Sequence, residues 1–143
     1  MAVTARLNPL GTPPESRMAM EFDAAAVVVG ATLTDLTELT LEGNYDELLL
    51  EVQNGPTVTL SDFALLLKLH RDGEWFVFLS GTDWDATDIV DLHYVDSTGP
   101  HQLANDSRAQ AIVNLHGAWA VKFQAAEATS AASVIVRGIV RRK

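Results

Sequence analysis

The sequence has 143 residues, 48% hydrophobic and 20% charged, with no cysteine and a net charge of −9. That length and apolarity predict one domain with a core of its own and exclude a disordered chain. Without cysteine there is no disulfide, thiolate zinc site or cysteine nucleophile, and the acidic balance argues against nucleic acid as the main partner.

Residues 1–20 read as an extended arm, because Pro9, Gly11, Pro13 and Pro14 break any regular element. Such an arm is either frayed or laid across a partner. The rest of the chain, 21–143, reads as the domain. Ala24 to Ala31 is a continuous apolar run and fits a buried strand or a short helix equally well. Thr32–Leu41 alternates threonine and leucine and predicts a strand, closed by a turn at Gly43-Asn44. In Asp46–Asn54, Leu48, Leu50 and Val52 share one face, as a strand with one buried side requires. Asn54-Gly55-Pro56 ends it.

After a short β-prone run to Leu60, Phe63–Leu69 and Glu74–Ser80 flank Arg71-Asp72-Gly73. Asp-Gly between two apolar runs predicts a hairpin. Gly81–Asp88 is a polar loop holding Trp84, and Asp88–Val95 and Ala109–Leu115 are further strands. Two alternating segments follow, one with Trp119, Val121, Phe123 and Ala125 on a face, the other with Val134, Val136, Gly138 and Val140. Joined by the small-residue link Ala126–Ala132, they read as a terminal antiparallel pair. About eight short strands with regular turn signals predict an all-β antiparallel sandwich or barrel. The longest fully apolar run, Ala24–Val29, is far short of the roughly 20 residues of a membrane helix. Residues 1–11 carry no apolar stretch after Arg6, so no secretory leader and a soluble chain are expected.

The pattern contains little catalytic chemistry. Asp83, Asp85 and Asp88 in the polar loop could supply part of a calcium shell, which needs six to eight oxygens, but the EF-hand glycine and distal glutamate are missing. A solvated loop is the plainer reading, and no cofactor is expected. His70, His93, His101 and His116 form no metal-binding pair. There is no Gly-x-Ser-x-Gly elbow and no phosphate-cradling glycine loop. Carboxylates facing across a cleft, as a glycosidase requires, are not something a sequence displays. Trp75 and Trp119 fall on apolar faces and are expected in the core, whereas Trp84, among polar neighbours, is the aromatic expected to be exposed or at an interface. A sugar-stacking platform would use it.

Charge is unevenly spread along the chain. Residues 1–20 carry two arginines and one glutamate, residues 21–109 three basic and seventeen acidic groups, and residues 110–143 five basic and one acidic. Either this serves solubility alone, or a basic end docks on an acidic surface or on a neighbouring copy. The residues placed at such an interface are Arg6, Pro9, Pro13, Pro14 and Arg17 in the arm, Trp84 in the loop, and Arg137, Arg141 and Arg142 at the end.

Two stretches carry a likeness to a known group. They are Asp46–Gly55 with Leu60–Leu66, and Gly117–Ala126 with Ser133–Gly138, which give an aromatic strand, an Ala/Ser/Thr link and a valine-rich last strand. In this texture the chain resembles the small β-sandwich structural proteins of tailed-bacteriophage virions, over residues 40–140. The resemblance implies a jelly-roll-like sandwich without catalytic residues, made in the host cytoplasm and located in the virion. It implies a capsid decoration (cement) protein that binds the major capsid protein or another virion protein. It also implies a homo-oligomer, a trimer above all, with neither nucleic acid nor membrane as partner. A tail or neck component, or a carbohydrate-binding module, is the alternative.

Overall fold

The computed structural model describes residues 3–4, 7–9, 19–56, 59–86, 88, 90–95, 99–127 and 132–142. Nearly all of their regular elements are strands. In chain order the strands are β1 (Val3–Thr4), β2 (Asn8–Pro9), β3 (Ala19–Asp23), β4 (Val27–Val29), β5 (Thr34–Thr40), β6 (Glu47–Asn54), β7 (Leu60–Lys68), β8 (Phe76–Leu79), β9 (Val90–Val95), β10 (Arg108–Asn114), β11 (Ala120–Glu127) and β12 (Ala132–Arg141). Two 3-10 turns, Gly81–Asp85 and Pro100–Gln102, are the helical elements among the described residues.

The strands form two sheets, β1-β5-β11-β7-β8 and β2-β3-β12-β6-β10-β9, with β4 beside β12. Their nesting identifies the topology. Without β9 and the short bridges, the first long strand pairs with the last (β3·β12) and the second with the seventh (β5·β11). The third pairs with the sixth (β6·β10) and the fourth with the fifth (β7·β8). A long hairpin wrapped over on itself gives this order, and the β12·β6 and β11·β7 pairings close it into two sheets. This is the jelly roll, as the resemblance implies. β9 is an added edge strand.

The expected hairpin around Arg71-Asp72-Gly73 is present, with the Gly73 amide donating to the His70 carbonyl at 2.9 Å. The ambiguous run 24–31 resolves as the short strand β4, paired to β12 through Val27↔Val134. One expectation is corrected. β11 and β12 are not paired with each other; β11 lies between β5 and β7, and β12 between β3 and β6. The physical reason is that alternation reports a half-buried strand but not its neighbour. β11 and β12 belong to different sheets, as successive strands of a jelly roll do.

The core is the space between the sheets. Leu48, Leu50 and Val52 of β6 and Val134, Val136 and Val140 of β12 face Leu36, Leu39, Phe63, Leu65, Val121 and Phe123, all of them buried. Each such side chain contributes roughly 1.5–3 kcal/mol relative to exposure. An aromatic column crosses the core. Phe22 stacks on Phe123 with centroids 6.4 Å apart, Phe123 on Phe63 at 6.0 Å, and Phe63 lies 5.5 Å from Trp84. Buried Asn54 ties β6 to the following loops, its amide donating to the Leu103 and Ala104 carbonyls at 3.1 and 3.2 Å.

Tyr45 is buried at one end of this core. Burial raises its phenol above the ordinary value of 10.0, with the Arg142 charge pulling the other way. The unfolded chain therefore loses this proton first. The stability it contributes is complete below about pH 10 and falls as pH rises beyond it. Tyr45→Phe should flatten the alkaline limb of a melting-temperature profile; an unchanged limb would show that Tyr45 does not set it.

Candidate docking surfaces

The polar loop folds as the 3-10 turn Gly81–Asp85, capped by the Ser80 amide donating to Asp83 Oδ2 at 3.1 Å. Asp62 Oδ1 accepts from the Gly81 and Phe63 amides, both at 2.8 Å, and pins the turn to β7. Asp83, Asp85 and Asp88 are exposed. The described residues contain no group of three or more acidic or histidine side chains placed to hold a metal ion. The calcium candidates are therefore not brought together.

Trp84 corrects the sequence reading. It is fully buried, and its indole N–H donates to the Phe63 carbonyl at 2.7 Å. Its polar neighbours are the rim of a turn whose centre points inward. Trp84 therefore offers no face to a sugar or a partner. Trp75 and Trp119, expected in the core, are half-buried instead. The Trp75 ring lies under two ammonium groups, Lys122 Nζ at 4.8 Å and Lys68 Nζ at 5.8 Å from its centroid. Such contacts fix the ring at the surface.

The basic end is not a free positive patch. Register sets Arg137 opposite both Asp23 and Glu51, with ion-pair distances of 3.4 and 3.9 Å. Arg108 pairs with Glu51 at 3.4 Å, and Arg141 pairs with the buried Glu47. Arg142 Nε donates to the Asn44 carbonyl at 3.2 Å. The arginines of the last strand are thus paired in space, because register sets it beside Asp23 of β3 and Glu47 and Glu51 of β6. Between these charged rows, Leu49, Ile112 and Ile139 floor a shallow concavity of about 500 Å³ on the outer face of β3, β12, β6 and β10.

The arm is partly laid on its own body. Val3–Thr4 runs parallel to β5 at Thr37 and Glu38, and Asn8–Pro9 pairs with β3 at Glu21 and Met20. Between them Leu7 packs against the core. Val3–Thr4 and Asn8–Pro9 thus cover the same-side edges of the two sheets, with Leu7 partly buried against the core. Pro9 occupies an edge, where its missing N–H costs no ladder bond. Arg6, Pro13, Pro14 and Arg17 lie outside the described residues.

Of the histidines, His70 Nδ1 accepts from the Asp72 amide at 3.1 Å, His116 stands edge-on to Phe78 at 5.9 Å, and His101 is buried. His93 belongs to β9, opposite Ala111. Sequence reasoning missed one feature, the exposure of Phe76 and Val77 on β8. The only signal was the apolar run's position beside a tight turn at the end of a hairpin.

No family model matches the chain, and no curated protein matches it. Among solved structures the chain is similar to the crystal structure of the SPBc2 prophage-derived protein YomS, with 13% identity and a TM-score of 0.47 over 92% of this chain and 99% of that one.

Proposed function

We propose that this chain is a non-enzymatic structural protein of a tailed-bacteriophage virion, a decoration protein that binds and stabilises the major capsid shell. The observation that carries the reading is the arm on a rigid jelly roll. Val3–Thr4 and Asn8–Pro9 are held to the body by two bridges of two residues each, and Leu7 packs on the core. So slight a hold can be exchanged for a partner at small cost, while the two-sheet body needs no moving part. The resemblance of residues 46–55 with 60–66, and 117–126 with 133–138, to virion sandwich proteins supports it.

Particles purified from cells carrying the gene should contain the chain at shell stoichiometry, with gold-labelled antibody on the head. Label confined to the tail would replace the decoration role by a tail role, and particles free of the chain would refute both. The purified protein should scatter light as a trimer. Deleting residues 1–18 should leave the β-sheet circular dichroism intact and weaken attachment to shells at least tenfold; unchanged attachment would remove the arm from the interface.

A further inference from the structure

The two sheets have four edges, and they are not treated alike. On one side β1 covers β5 and β2 covers β3. On the other side β9 carries Asp91 and His93 within its span. The remaining edge is β8, Phe76-Val77-Phe78-Leu79, which has no charged residue. It pairs with β7 on one side, and among the described residues no strand lies on the other. Phe76 is 41% exposed, Val77 51% and the adjacent Leu69 63%.

An open, uncharged, aromatic edge is a liability that proteins normally blunt with lysine, proline or a covering segment. Here such covering is applied on the opposite side, and among the described residues none lies at β8. The flanks add a charge signature. Asp72 and Glu74 precede the strand, Asp83, Asp85 and Asp88 follow it, and all five are exposed. Of the nearby cations Arg71 is exposed, while Lys68 and Lys122 are half-buried over the Trp75 ring.

We infer that the open edge of β8 docks an extended segment of a partner protein, a strand with an apolar centre and lysine or arginine at both ends. The backbone groups of β8 supply the pairing and its exposed apolar side chains the grip, the usual logic of strand addition. The acidic flanks select the partner's ends. A second copy of this chain fits poorly. Antiparallel pairing of β8 with itself lays Asp72 and Glu74 of each copy against the Asp83–Asp85 turn of the other, acid against acid. The inference holds whether or not the partner is a capsid protein.

The test uses the full chain, labelled for amide NMR, and a synthetic peptide of alternating valine and threonine with lysines at both ends. Its twin carries glutamates in place of the lysines. The lysine peptide should shift amides of residues 76–79 and of β7, and bind about tenfold or more tightly than its twin, with the difference shrinking in high salt. Val77→Lys should abolish these shifts. Glu74→Lys, at an exposed position that leaves the fold untouched, should weaken the lysine peptide severalfold and strengthen its twin. Equal binding of the two peptides, or shifts that avoid β8, would overturn the proposal. So would β8 shifts that appear on raising protein concentration alone, which would assign the edge to a second copy.

Discussion

Trp84→Ala should cost about 3–5 kcal/mol, as removal of a large buried aromatic does. For a chain of this size that is a fall of roughly 10–20 °C in melting temperature. Two losses combine. The indole leaves a void beside Phe63, whose ring lies 5.5 Å away, at the end of the aromatic column. The Phe63 carbonyl also loses the N–H that donates to it at 2.7 Å. Trp84→Phe separates the two, since it restores much of the volume but not the donor, and should cost about 1–3 kcal/mol for the unsatisfied carbonyl. Urea titrations of the three proteins measure both steps. A cost below about 1 kcal/mol for Trp84→Ala would mean that the turn does not bury its tryptophan. Sugar binding that depends on Trp84 would mean the same.

This residue also shows where sequence reading stops. Alternation exposed the strands with one wet face: Leu48, Leu50 and Val52 are buried as the period requires, and so are Val121, Phe123 and Ala125. A turn residue has no period, so its neighbours' polarity was the only guide to Trp84, and it misled. The same limit applies to Phe76 and Val77. A continuous apolar run looks like core, and only the sheet order shows that β8 is an edge. Pairing was the second gap. Local sequence pairs neighbours such as the β7–β8 hairpin, but it also pairs β11 with β12, because nothing local says which sheet receives a strand. Charge failed for the same reason. Arg137 and Arg141 read as a basic end until register set them beside Asp23, Glu51 and Glu47. The jelly-roll order follows from the nested pairings, not from any single segment.

Gly138 makes the point quantitatively, because sequence and structure predict opposite signs. As a glycine inside a strand, it weakens the strand by roughly 0.5–1 kcal/mol relative to alanine, so Gly138→Ala should stabilise. The structure reverses this. Gly138 sits between Phe22 of β3 and Leu50 of β6 in the register. An added Cβ would run into the Leu49 carbonyl and approach the Phe22 ring at 3.3 Å. The carbonyl belongs to the backbone of β6, a strand paired on both sides, and cannot swing away as a side-chain tip would. Phe22 is fully buried and stacked on Phe123. Gly138→Ala should therefore cost about 3 kcal/mol, the upper end of overpacking, and disturb the concave face that Ile139 and Leu49 floor. Gly30→Ala is the control. Nothing lies within 4 Å of its added Cβ, so it should be neutral or gain up to about 1 kcal/mol through the unfolded chain. Melting curves of the two variants decide the matter. Destabilisation at 138 with none at 30 would establish the close approach of β12 and β6, and a more stable Gly138→Ala would show that the two strands leave room for a Cβ at this point.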